Sequence, residues 1–203
     1  MKAMTRQEQA KESRQKLMDS ALHLFAHQGY AGTSVHAICA GIGAADGLLY
    51  HYFPGGKGEL MQEIVRQNMS RLVDELDSQN SQVENLPLEE LLEELYLRIE
   101  ATVLRHDDLI RLFIKEQETL KLLPFDEIVR LFAKRWQWFP GLLRARAEKG
   151  EIRPMDFESA AETLDSLMLY QLALKLAGLS FGPLADAEHR KRMIAYQLSL
   201  WRP

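Results

Sequence analysis

Residues Thr33 to Leu60 read TSVHAICAGIGAADGLLYHYFPGGKGEL, and the fold of the chain turns on this stretch. Thr33 is a good helix N-cap, and Val35, Ile38 and Cys39 follow it at helical spacing. Gly41 and Gly43 bracket a turn that a continuous helix would tolerate poorly. A second short helix is predicted from about Ala45 to Tyr52. Two helices joined by a glycine-bearing turn make the helix-turn-helix geometry, whose second helix can enter a DNA major groove. In that helix Leu49 is predicted to pack inward, with Ala45, Asp46, Gly47, Leu48 and His51 outward. Gly47 and Ala45 permit close approach to a groove. Leu48 can touch a thymine methyl, and His51 can hydrogen-bond a base edge or a phosphate.

The residues on either side fit this unit. Leu17, Met18, Ala21, Leu22 and Phe25 mark one face of a preceding helix predicted from Ser13, with a fraying tail before about Gln15, and Gly29 ends it. His23 and His27 stand four apart with Asp19 one turn earlier, so a metal site is conceivable. They lie off the apolar face and read as a solvated row, and no metal or cofactor is expected. Cys39 reads as a small buried thiol rather than a redox switch. Residues 1–57 hold six Lys and Arg against four Asp and Glu, a net of +2 in a chain whose total is −4. A mildly basic head on an acidic body suits contact with nucleic acid at one end only.

The string Phe25, Gly29-Tyr30, Thr33-Ser34-Val35, Ile38, Gly43, Gly47, Leu49-Tyr50, Phe53, Lys57 and Leu60 resembles the DNA-binding segment of the tetracycline-repressor (TetR) family of bacterial transcription regulators. The resemblance implies that the Tyr50 and Tyr52 hydroxyls and the Lys57 ammonium lie against DNA phosphates, fixing register without reading sequence. Ser34 belongs to the same set, and His36 aligns with a position that reaches DNA in some relatives. The sequence departs from the family pattern at Ala45, where a capping serine is usual, and at Ile42 and Cys39, where alanine is usual. Asp46 compensates in part by its charge at the helix N-terminus. Facing phosphates, it must accept from a cytosine amine or point aside. The FPGGK corner is one residue longer than the commonest form and occurs in part of the family.

The chain of 203 residues, 46% hydrophobic and 27% charged, has material for a large core. Its N-terminus carries no apolar signal core, and Leu164 to Ala185 is interrupted by Asp165, Gln171 and Lys175. One cysteine excludes an internal disulfide framework, so a cytoplasmic, membrane-free protein is expected. The whole reads as all-α with about nine helices: a helix-turn-helix domain over 1–58, then an effector-binding and dimerisation bundle over 59–203.

A long helix is predicted from Gly58, ending before a boundary loop at Ser78 to Asn85. Pro87 starts another, His106-Asp107-Asp108 interrupts it, and Pro124 closes the helix after that. Pro140-Gly141 is expected to kink or break the helix over Asp126 to Lys149. The aromatics before it suggest a pocket wall, giving Phe113, Gln117, Trp136, Phe139, Met168 and Tyr170 as effector-binding residues for a lipophilic or aromatic molecule. The apolar face over Phe157 to Ala177 is too wide for one core-facing side. With the last helix it supplies an expected dimer interface of Leu164, Leu167, Met168, Leu172, Ile194, Leu198 and Trp201. These features favour a homodimeric regulator, most simply a repressor, on a roughly palindromic double-stranded operator, released by a small molecule. The alternative is a helical-bundle enzyme or carrier that does not bind DNA, leaning on His23 and His27 or on Glu116 and Glu118. No nucleophile–base pair, metal-ligand spacing or phosphate loop supports it above chance.

Overall fold

The N-terminal helix starts earlier than its apolar pattern suggests, because Thr5 and Glu8 cap it reciprocally. The Thr5 hydroxyl accepts from the Glu8 N–H at 3.2 Å, and a Glu8 carboxylate oxygen accepts from the Thr5 N–H at 2.7 Å. Helix α1 therefore spans Arg6–Gln28, so residues 6–15 of the stretch expected to fray are helical, while residues 1–4 lie outside the described residues. The structure, a computed structural model, describes residues 5–78, 80–116, 125–176 and 187–203. Among these residues there are helices and no strand. After α1 come α2 (Val35–Ala40), α3 (Gly47–Tyr52) and α4 (Gly56–Ser78), then a four-residue α5 (Asn80–Val83). They are followed by α6 (Leu88–Arg105), α7 (Asp107–Lys115), α8 (Phe125–Glu148), α9 (Phe157–Leu176) and α10 (Ala187–Trp201).

The chain divides into two compact units. The first comprises Met1–Leu72 and Arg105–Val129, the second Val73–Leu104 and Arg130–Pro203. Residue 58, the expected boundary, falls inside α4. The first unit takes in α7 because that helix packs on α1. Its core is Leu17, Met18, Phe25, Ile38, Leu49, Phe53 and Leu60, all essentially inaccessible to solvent.

The second unit is built on Leu91, Leu92 and Leu95 of α6, Phe139 and Leu143 of α8, Leu164 and Met168 of α9, and Ile194 and Trp201 of α10. One expectation fails here: the boundary stretch Ser78 to Asn85 contains α5, whose Val83 is fully buried and holds the segment down. Of the kink or break expected at Pro140, the break does not occur, since α8 is continuous through it. A proline removes one intrahelical bond and crowds the preceding turn, but Phe139 and Leu143 on either side are fixed in the core. One turn further, buried Arg146 donates to the carbonyls of Glu84 and Leu86, both at 2.6 Å, and to the Glu151 carboxylate at 2.6 Å.

Candidate nucleic-acid interface

The two short helices of the head are held by local chemistry and a shared footing. The Ser34 hydroxyl caps α2 by accepting from the Ala37 N–H at 3.0 Å. Thr33, one residue earlier, is buried, and its hydroxyl donates to the Gly29 carbonyl at 2.8 Å. Gly43, at φ 68°, lets the chain turn between the helices, and the Ala44 N–H closes the turn on the Cys39 carbonyl at 2.9 Å. Cys39 is sealed beneath this turn, and its burial pushes the thiol above its ordinary pKa. The neutral form is favoured and nucleophilic or redox reactivity is suppressed.

Helix α3 shows the inward and outward division that its sequence suggests. Leu49 is fully buried, and Phe53, which ends the helix, is 1% exposed. Tyr50 stands 53% exposed, and Ala45, Asp46, Gly47 and His51 are also exposed, with Leu48 and Tyr52 half-buried. The helix begins at Gly47, two residues later than expected, with Asp46 at the N-cap making no side-chain cap bond. The Asp46 carboxylate instead meets His36 Nδ1 at 3.1 Å, linking α2 to the start of α3. Of the two roles foreseen for Asp46, the isolated chain adopts the one that points aside.

The glycine corner after α3 places Lys57 under the head. Gly56 takes φ 67°, and a side chain there would press on the Tyr50 ring at 3.3 Å. The Gly55 N–H donates to the Glu59 carboxylate at 2.7 Å. Lys57 Nζ donates to the carbonyls of Tyr30 at 2.6 Å and Thr33 at 2.8 Å, and lies 4.2 Å from the centre of the Tyr30 ring. An ammonium has three donors, so one remains for a further acceptor. Ser34, Tyr50, the glycine corner and Lys57 line an open concavity of about 450 Å³ beside α3.

This geometry has known counterparts. Residues 17–64 match the family described as bacterial regulatory proteins, tetR family. That segment is therefore similar to the DNA-binding part of this family. The HTH-type transcriptional regulator LmrA of Bacillus subtilis (strain 168) is 41% identical over 66 residues, 29% of this chain and 35% of LmrA. The chain thus spans about a third of the length of this curated relative. Over the full length of the chain the likeness is one of fold. A structure described as a TetR-family transcriptional regulator from Mesorhizobium loti MAFF303099 superposes with a TM-score of 0.72 at 19% identity, over 98% of this chain and 100% of that one. A transcriptional regulator from Saccharomonospora viridis, solved in complex with choline, gives 0.68 at 19% identity, over 93% of this chain and 96% of that one.

The residues expected to bind an effector fall in both units. Phe113 is half-buried on α7 of the first unit, and Gln117 lies outside the described residues. In the second unit Phe139 and Met168 are core residues, whereas Trp136 and Tyr170 are 55% and 54% exposed, not enclosed in a pocket wall. Within that unit a recess of about 30 Å³ opens between α6, α9 and α10, lined by Tyr96, Leu164, Leu167, Met168, Arg190, Met193 and Ile194. A typical small-molecule site holds about 300–1,000 Å³, so this recess admits no such ligand as it stands. Of the residues expected at a dimer interface, Leu164, Met168, Ile194 and Trp201 are buried in the unit's own core and Leu198 packs against it. Leu172 is 7% exposed and Leu167 half-buried. Among the described residues the large apolar side chains left exposed on α9 and α10 are instead Tyr170, Tyr196 and Leu200. Sequence patterning cannot separate these two sets, because both sit on the same wide apolar faces. Among the described residues no helix is long and apolar enough to cross a membrane.

Proposed function

We propose that the chain is a non-enzymatic, cytoplasmic TetR-type transcription regulator that docks α3 in the major groove of operator DNA. The observation that carries this reading is the division of α3: Leu49 and Phe53 are locked into the head while Tyr50, Gly47 and His51 face solvent. Ser34, Tyr50, Tyr52 and the spare Lys57 donor contact phosphates around the concavity and set register. Ala45, Gly47, Leu48 and His51 approach base edges, and the His36–Asp46 pair opens or stays closed according to the base it meets. The FPGGK corner sets the reach of Lys57. Two copies joined through α9 and α10 present paired reading helices about 34–36 Å apart, matching successive major grooves.

A small lipophilic or aromatic molecule releases the DNA by binding better to a conformation with the wrong spacing. The S. viridis relative, solved with choline, supports small-molecule binding on this fold. The recess between α6, α9 and α10, at about 30 Å³, would have to widen to admit one.

The test is footprinting of the full chain on its own upstream DNA, followed by binding measurements on Tyr50→Phe. Hydrogen bonds to charged groups are worth about 1.5–3 kcal/mol, so loss of the hydroxyl should weaken operator binding about ten- to hundredfold. Full affinity in Tyr50→Phe would remove Tyr50 from the contact set. Absence of any sequence-selective footprint would overturn the reading itself.

A further inference from the structure

Two imidazoles and a carboxylate converge at the seam between α1 and α7 within the first unit. His23 and His27 lie one turn apart, so their rings leave the same face of α1, with centroids 4.5 Å apart. Asp108 reaches them from the first turn of α7. Its Oδ2 is 3.1 Å from His23 Nδ1, and its Oδ1 is 3.0 Å from His27 Nε2. One donor atom from each residue falls within 4.8 Å of the others. Around a tetrahedral zinc with bonds of about 2.0–2.1 Å, neighbouring donors stand roughly 3.3–3.4 Å apart. The carboxylate–imidazole separations of 3.0 and 3.1 Å are close to that spacing, and a small turn of the exposed imidazoles would bring all three donors onto one ion.

We propose that His23, His27 and Asp108 form a binding site for a divalent transition metal of the zinc class. Histidines four apart on a helix are a chelating pair, because both rings can turn toward one point. Two imidazole nitrogens and one carboxylate oxygen suit zinc and its neighbours, whereas calcium and magnesium favour oxygen donors throughout. The three side chains are 64%, 46% and 32% exposed, so the ion can enter from solvent and complete its coordination with water. Asp19, the acidic neighbour on α1 itself, is engaged by Gln15 Nε2 at 2.7 Å. The third ligand comes from a distant helix instead.

The ion would close a seam that other groups already hold. Lys115 Nζ donates to the His27 carbonyl at 2.5 Å, and the Glu116 carboxylate accepts from the Tyr30 N–H at 2.8 Å. Single hydrogen bonds of this kind contribute modestly to stability. A metal that binds the folded unit and not the unfolded chain adds stability by mass action and ties α7 to the helix beneath the reading pair.

The experiment uses the full chain stripped with a chelator. Zinc is titrated in competition with a chromophoric chelator, and cobalt(II) is added separately for its visible spectrum. The expected result is one zinc per chain and the intense bands of four-coordinate cobalt. His27→Ala and Asp108→Asn should each weaken zinc about 100-fold or more, since even partners outside the first ligands cost 10–100-fold. His189→Ala, on the surface of α10, should leave affinity unchanged. Zinc should raise the thermal midpoint of the wild type and His189→Ala far more than that of Asp108→Asn, a near-isosteric change that keeps the test valid should His27→Ala fold poorly. Absence of saturable binding overturns the proposal, as does binding that survives both substitutions or is lost in His189→Ala. The first outcome would leave the two histidines simply pairing with a carboxylate.

Discussion

Lys57 braces the head and, in the proposed reading, also meets DNA. Its ammonium bonds the carbonyls of Tyr30 and Thr33, residues that set where α2 begins, and offers a third donor outward. Lys57→Met keeps the stem but leaves both carbonyls without this donor, at a cost of about 1–3 kcal/mol. The expected outcome is a lower urea midpoint for Lys57→Met and an unchanged one for Tyr50→Phe, with DNA affinity reduced in both. A denaturation series on the two variants separates footing from contact. The sequence pointed to Lys57 through resemblance to a family motif. It could not show the two carbonyl bonds, because they join residues 27 and 24 positions apart through a folded corner.

At the scale of elements, α1 and α4 are coupled by Glu63. Its carboxylate accepts from Arg66 at 2.9 and 2.7 Å and meets Arg14 of α1 at 3.0 Å, while Arg14 also lies over the Phe53 ring at 4.9 Å. The Arg66 hydrogen bonds, joined by Arg14, hold the Glu63 carboxyl below its ordinary 4.5. A depressed native pKa means the folded state prefers the ionised form. The resulting stability is present above pH 4.5 and is lost as pH falls through the lower native value. Urea midpoints of wild type and Glu63→Gln should therefore differ at neutral pH and converge in acid. A constant gap would show that the ion pairs are idle. Element boundaries were unevenly legible. Pro87 and the apolar face of α6 were plain, and the Thr5-to-Glu8 capping box was readable but outweighed by the polar composition around it. The continuity of α8 through Pro140 was not readable, since core contacts on both sides of the proline outweigh its local cost.

At the scale of the molecule, assembly depends on which apolar side chains a single chain leaves uncovered. Leu164, Met168, Ile194 and Trp201 are already spent on the core of the second unit. A dimer that used them as its main contact would have to unpack that core. Tyr196, 67% exposed, and Leu200, 45% exposed, remain available on α10, with Tyr170 on α9. Tyr196→Glu should shift the sedimenting species toward monomer while leaving the thermal midpoint of the chain little changed. A dimer that persists in this variant would move the interface elsewhere.

The sequence by itself determined the head. Glycines, caps and apolar spacing over Thr33 to Leu60 act within a few residues of one another, so local rules suffice to place α2, α3 and the buried Leu49. It also determined an all-helical body, because helical periodicity is local too. Only the tertiary structure decided which half of each broad apolar face is buried, that α7 joins the head, and that Asp108 meets His23 and His27. Each of these depends on pairs of residues far apart in the chain, whose meeting is set by packing of whole helices and leaves no periodic trace in the residues themselves.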